Sequence, residues 1–498
     1  MLCILVGHDF INEVQTVTQV FFPGEKFSFI CEGMGSGFEK TSVGNVLKVT
    51  RPEGFLDTYP SGYAIRTVMT ETAAQASVIH SGGEIARHEL PLDTLPLHLT
   101  PRRVLMLALY HALQEAIGAH TPWGALTGIR PSKMVREWLE LGWPGEKVIA
   151  TMQDPFCCTP EKARLALTVA KAEMELTERI YTRHRANTIP VGIYISIPFC
   201  PTRCVYCSFN TSHKPAKGDT HALYISAILR ECKAKATQLR EFGGVVSSIY
   251  IGGGTPTVLS EYLLAKLLTT VGETFGTAEE FSVEAGRPDT LTLAKLKLLK
   301  NHNVNRIAVN PQTLNDKTLA LIGRNHTAND FFAAFFAARD AGFTCINTDI
   351  IAGLPSETPD DMRRTMEGVA ALSPENITVH TLAVKRASRI NESRTDFALP
   401  TAQATEEMLR IAADACHTAG LSPYYLYRQK NMVGMFENVG YSKPGYECLY
   451  NVGMMAEVQT VLGVGAGAVS KFVTGNKITR EFNAKDPGVY IQRLMSKE

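Results

Sequence analysis

VGIYISIPFCPTRCVYCSF, residues Val191 to Phe209, joins an apolar run to Cys200, Cys204 and Cys207 in C-x3-C-x2-C spacing. The run reads as a strand buried on both faces, which puts the three thiols in the loop at its carboxyl end. A structural zinc site takes four ligands, commonly from two separated pairs. No second Cys or His pair lies near: His213 is the nearest histidine, and Phe209 stands two residues past the last cysteine. A catalytic zinc under three thiolates is conceivable but would be a poor Lewis acid. A [4Fe–4S] cluster has four irons, so three cysteines leave one open to a chelating, substrate-like ligand.

Outward from this loop the pattern is regular. After VGIYISIPF comes a helical stretch, Thr220 to Phe242. VVSSIYIGGG precedes EYLLAKLLTTVGETF, EEFSVEAG precedes TLAKLKLLKNH, and NRIAVNPQ precedes DFFAAFFAARDAG. CINTDIIAGLP with PDDMRRTMEGVAAL, and NITVHTLAV with ATEEMLRIAADACHTAG, complete six strand–helix units. Such alternation predicts a parallel sheet with crossover helices, an α/β fold. Six units rather than eight predict an incomplete barrel or open sheet, with functional groups at the carboxyl ends of the strands. The unusual residues stand there: the cysteine loop after the first strand, GGGTPT (Gly252–Thr257) after the second, then Glu284, Asn310, Gln312 and Asp349.

The flanks read differently. Residues 1–100 predict a strand-rich module, with polar and apolar positions alternating in EVQTVTQVFF and GNVLKVTRP. Residues 101–188 predict a helical segment, from PRRVLMLALYHALQEAIG and TPEKARLALTVAKAEMELTERIY. Between them, Gly128 to Lys133 form a basic turn that could meet an anionic ligand or another domain, or simply enter a helix. Over all 498 residues the formal charge is +1, with 45% hydrophobic and 20% charged side chains. That balance gives no electrostatic case for nucleic acid or a membrane surface. No apolar run approaches the ~20 residues of a membrane span. The eleven cysteines are odd in number, and those outside the triplet, Cys157–Cys158 included, read as small buried hydrophobes. A cytoplasmic location is expected.

With an aromatic, Tyr206, directly before the last cysteine, the triplet resembles that of the radical S-adenosylmethionine (SAM) superfamily. The ordered set YISIPFCPTRCVYCSF, YIGGGTPT, FSVEAGRPDTL, RIAVNPQTLND, LIGRNHT and INTDIIAGLPSETPDD resembles the oxygen-independent coproporphyrinogen III oxidase group, which includes related haem chaperones. TPWGALTGIRPSKM and YYLYRQKNMVGMFENVGYSKPGYECLYNV resemble its HemZ branch. The resemblance implies a partial (β/α)6 barrel core at 189–420, an N-terminal α+β module, and a substrate-side extension at 421–498. It also implies a [4Fe–4S] cluster on Cys200, Cys204 and Cys207, whose open iron is chelated by SAM. One electron from the cluster then cleaves SAM to methionine and a 5′-deoxyadenosyl radical, which abstracts hydrogen. Tyr194, Tyr206, Gly253, Gly254, Thr255, Glu284, Gln312, Arg324, Asp349, Ala383 and Val469 would line the SAM site. Tyr194 and Glu284 carry over as the catalytic positions as well. Gly463, Gly465 and Gly467 in LGVGAGAVS read as a tight turn closing the site, because no Lys-Ser/Thr follows as in a phosphate loop.

The implied reaction is the oxidative decarboxylation of coproporphyrinogen III to protoporphyrinogen IX, with a reducing donor such as flavodoxin or ferredoxin. Two positions depart from the oxidases: where they carry a further cysteine this chain has Phe209, and the chaperone-like relatives share that phenylalanine; where they carry histidine it has Ser196. Three alternatives follow: a haem-binding trafficking protein with a regulatory cluster, a radical methyltransferase acting on haem, and a purely redox or structural cluster protein. The SAM-lining motifs argue against the last. Propionates would want Lys385, Arg386, Arg389, Arg428 or Lys430, and YYLYRQKNM interleaves aromatics with cations as a flat anionic macrocycle would need. The same motif also reads as a solvated strand edge. The oligomeric state is not readable.

Overall fold

The computed structural model describes residues 1–32, 62–93, 99–128, 130–183, 188–208, 219–385, 388–393, 396–429, 432–475 and 477–496. They form two compact units, Met1–Ile129 with Trp138–Leu165, and Arg130–Glu137 with Ala166–Glu498.

In the first unit, strand Leu2–Val6 lies between parallel neighbours Ser28–Glu32 and Tyr63–Met69. Strands Ala73–His80 and Gly83–Pro91 extend the sheet antiparallel, and helix Pro101–Ile117 packs on both. That helix has Pro101 in its first turn and ends at Gly118 in the left-handed region, φ 69°, where proline and glycine are least costly. EVQTVTQVFF is a correction: the chain there is the helix Ile11–Phe21, not a strand. Its buried residues, Ile11, Val14, Val17 and Thr18, follow the three- and four-residue spacing of a helix face. That spacing outweighs the local polar–apolar alternation. GNVLKVTRP lies outside the described residues.

The second unit is built on six strands, Ile189–Ile197, Gly244–Gly253, Glu280–Val283, Arg306–Ala308, Ile346–Ala352 and Asn376–Thr381. They pair in chain order and all in parallel. Helices Thr220–Glu241, Glu261–Phe275, Leu293–Asn301, Ala328–Asp340, Pro359–Ala371 and Ala402–Thr418 follow them in turn, giving the expected partial (β/α)6 barrel. Val191, Ile193, Ile195 and Ile197 are fully buried on one face of the first strand, each worth ~1.5–3 kcal/mol on burial. Thr327 with Asp330, and Thr358 with Asp361, form capping boxes that fix where two of the crossover helices begin.

The sheet does not stop at six strands. Thr460–Val464 pairs in parallel with Ile189–Ile197 and leads into the antiparallel ribbon Val469–Thr474 and Lys477–Phe482. At the opposite end, Asn438–Ser442 and Ser422–Tyr427 add antiparallel to Asn376–Thr381. The C-terminal residues therefore extend both ends of one eleven-stranded sheet. Glu280 on the third barrel strand anchors part of this extension. Its carboxylate accepts the N–H groups of Leu449 at 2.7 Å and Tyr450 at 3.1 Å, at the start of helix Leu449–Met455, and pairs with Arg306 at 3.5 Å. Among the described residues, no helix is long and apolar enough to cross a membrane.

Candidate active site

A cavity of about 420 Å³ opens at the carboxyl ends of the barrel strands, a volume ordinary for a small-molecule site. Cys200, Cys204 and Cys207 line it from the loop after the first strand, and Gly253, Gly254 and Thr255 from the loop after the second. Glu284, Gln312, Asp349 and Ala383 enter from later strand ends, with Arg324, Tyr194 and Tyr206 completing the wall. Of the residues expected there, Val469 is not among those lining the cavity. It begins an outer strand, paired with Phe482.

The two loops are held together by backbone. The N–H of Gly254 donates to the Ile197 carbonyl and that of Thr255 to the Phe199 carbonyl, both at 2.7 Å. A Cβ on Gly254 would lie 2.5 Å from the Phe199 oxygen, so only glycine permits this approach. The Thr255 hydroxyl lies 3.5 Å from the Cys200 sulfur. On the other side, Val205 N donates to the Ile322 carbonyl at 3.0 Å, and Thr202 Oγ1 to that of Gly323 at 2.8 Å. The cysteine loop is thereby fixed by the loop after the second strand and by the C-terminal end of helix Asp316–Leu321.

These residues fit a cluster with a chelating cofactor. Three thiols face one cavity, yet among the described residues no three His, Cys, Asp or Glu side chains converge as a single metal ion would require. A cluster places each thiolate on a different iron. Gln312 Oε1 and Arg324 Nε are buried without a partner, an unfavourable state of about 1–3 kcal/mol each. An ammonium or hydroxyl would satisfy the first and a carboxylate the second. When bound, cluster and SAM would supply one-electron cleavage of SAM and, through it, hydrogen-atom abstraction from a C–H bond.

The cavity also holds an acidic network. The Tyr250 hydroxyl donates to Glu284 Oε1, and Asn310 Nδ2 donates to Asp349 Oδ2 at 2.8 Å. Asn347 Nδ2 reaches Asp349 Oδ1 at 2.8 Å, and His380 Nε2 lies 3.7 Å from Oδ2. Burial, then the charge of Asp349, pushes the Glu284 carboxyl up to about 7. Burial would raise Asp349 too, but hydrogen bonding and charge from His380 hold it below the ordinary carboxylate range. Two neighbouring carboxyls thus take opposite protonation tendencies. Tyr250 and His380 line the cavity but were not expected from sequence, while Tyr427 and Gln429, which also line it, lie in the YYLYRQKNM stretch read as a candidate macrocycle contact. Tyr250 pairs directly with Tyr194 across two strands, so both face the same side.

Other expectations resolve locally. Of the candidate propionate cations, Lys385 lines the cavity. Arg389 is exposed, and Arg428 is buried with Nη2 on the Met435 carbonyl at 2.6 Å. Arg386, Lys430, His213 and Phe209 lie outside the described residues. In the basic turn, Arg130 pairs with Glu457 at 2.6 Å, so that cation serves a protein contact. The glycine-rich segment forms a tight turn as expected, with φ 98° at Gly465 and 71° at Gly467, but it does not line the cavity. A Cβ on Gly465 would lie 2.5 Å from the Ser196 carbonyl. The Ser196 hydroxyl donates to the Ala466 carbonyl at 2.9 Å.

The description of the Radical SAM superfamily matches residues 194–369. The chain is 37% identical, over 77% of its length and 76% of the relative's, to the oxygen-independent coproporphyrinogen-III oxidase-like protein HemZ of Bacillus subtilis (strain 168). It is 32% identical to the heme chaperone HemW of the same organism, covering 55% of this chain and 69% of that one. Coproporphyrinogen III oxidase (HemN) from Escherichia coli, a radical SAM enzyme, shares the fold with a TM-score of 0.50 at 24% identity, over 66% of this chain and 72% of that one. Its superfamily uses a [4Fe–4S] cluster and SAM, and the chain belongs to the oxygen-independent coproporphyrinogen-III oxidase-like family of radical SAM proteins.

Proposed function

We propose that Cys200, Cys204 and Cys207 hold the cluster, that SAM occupies the adjoining cavity, and that the chain oxidatively decarboxylates two propionates of coproporphyrinogen III to give protoporphyrinogen IX. The observation carrying this reading is the convergence of three thiols, the glycine loop, Gln312, Arg324 and the Glu284–Asp349 network on one cavity. Each propionate becomes a vinyl group by losing CO2, a hydrogen atom and an electron. The hydrogen passes to the adenosyl carbon of SAM and the electron to an external acceptor. Tyr194 and Glu284 would orient SAM, Glu284 by accepting from its ammonium or ribose hydroxyls. Arg324 would clamp its carboxylate. Lys385 offers an ammonium to a substrate propionate from the cavity wall. A flavodoxin or ferredoxin would supply the electron for SAM cleavage.

A second reading, haem trafficking with a regulatory cluster, is favoured by the likeness to HemW and by Ser196. At the position where the oxidase motif carries histidine, the serine hydroxyl is committed to the Ala466 carbonyl. Anaerobic incubation of the cluster-loaded protein with coproporphyrinogen III, SAM and dithionite separates the two. Decarboxylation with release of 5′-deoxyadenosine is expected. Deoxyadenosine without any decarboxylated product would overturn the oxidase reading, and stable haem binding that survives Cys200→Ala would favour trafficking.

A further inference from the structure

Arg287 follows the third barrel strand and reaches into the cysteine loop. Its side chain is 4% exposed and lies against Asp289, with Nε at 3.0 Å from Oδ1 and Nη2 at 3.2 Å from Oδ2. Nη2 also donates to Thr202 Oγ1 at 2.9 Å, and Thr202 lies between two of the cysteines. With these contacts fixing the guanidinium plane, Nη1 points at the Cys204 sulfur, 3.7 Å away. A second guanidinium lining the cavity differs: Arg324 Nη2 donates to the carbonyls of Gly286 and Asn310. His326 is buried with neither ring nitrogen bonded, and adds no donor to the sulfurs.

We propose that Arg287 is a positioning residue that sets the reduction potential of the cluster, by donating a charge-assisted hydrogen bond to the Cys204 thiolate. Cluster potentials respond to net charge, burial and hydrogen bonds to the sulfurs. Reduction adds one negative charge beside a buried cation, where solvent screening is weak. The reduced form gains more than the oxidised form, so the potential is raised. Asp289 holds the guanidinium in place and offsets part of its charge. The inference rests on Cys204 being a cluster ligand, and not on which tetrapyrrole the cavity takes.

The test is an anaerobic dithionite titration of the full-length, cluster-loaded protein, followed by electron paramagnetic resonance without SAM or porphyrin. Arg287→Met should make reduction at least tenfold less favourable, about 59 mV more negative for a one-electron couple. Arg287→Lys should lie between it and the native protein. Asp289→Asn, which keeps an acceptor for Nε but removes the charge, should shift the potential positive. A native potential in Arg287→Met at full iron content would overturn the proposal. Should that variant fail to load a cluster, Asp289→Asn decides: a positive shift supports the proposal, and an unchanged potential overturns it. Cys204→Ala that still carries a native-like cluster would instead refute the ligand assignment itself.

Discussion

Glu284 sits between a Tyr250 hydroxyl that donates to it and an Asp349 carboxylate that repels it. Its carboxyl, raised to about 7 by burial and that charge, keeps its proton well above the ordinary carboxylate range. A ligand whose ammonium or hydroxyls need the carboxylate must displace that proton whenever the pH is below 7. By linkage, SAM affinity should rise about tenfold per pH unit up to pH 7 and then level off. Glu284→Gln should bind more weakly, with a flat profile, as measured by anaerobic calorimetry from pH 5.5 to 8.5. A native protein with no pH dependence would remove Glu284 from the SAM site. The position of Glu284 was legible because a lone acid ended an apolar strand. Its partner Tyr250 was not, since a tyrosine in YIGGGTPT reads equally well as strand packing until the register with Tyr194 is known.

The strands and helices of the barrel were legible for a plain reason. Each apolar run ends at glycine, proline or a polar residue, and each following helix carries its own period, five of the six behind a capping Ser or Thr. What escaped was context. Thr460–Val464 lies beside the first strand as a further parallel neighbour, yet its glycine-rich sequel marked it only as a turn. Ile11–Phe21 is helical because Val14 and Val17 pack on one face, a fact that short-range alternation conceals. Between elements, the buried pair Glu280–Arg306, with side chains 6% and 8% exposed, ties two barrel strands to helix Leu449–Met455. Glu280→Gln leaves a buried guanidinium without its counter-charge, a loss of about 3–5 kcal/mol. Hydrogen exchange should accelerate in Glu280–Val283, Arg306–Ala308 and that helix together. Native protection in all three would show that the pair contributes little.

Across the second unit, six consecutive strand ends supply one cavity, so residues from Tyr194 to Ala383 meet although they are far apart in sequence. Val469 is the carried-over position that does not line the cavity: it begins an outer strand paired with Phe482, and no local feature of LGVGAGAVS announces this. The central proposal for this cavity is a cluster held by three cysteines with an iron left for SAM. Its most direct test is the electron paramagnetic resonance spectrum of the reconstituted, dithionite-reduced protein before and after SAM is added. Three-cysteine ligation requires a signal that shifts on SAM addition, and loss of the cluster when Cys200, Cys204 and Cys207 are all replaced by alanine. An unshifted spectrum, or a full cluster in the triple variant, would contradict it.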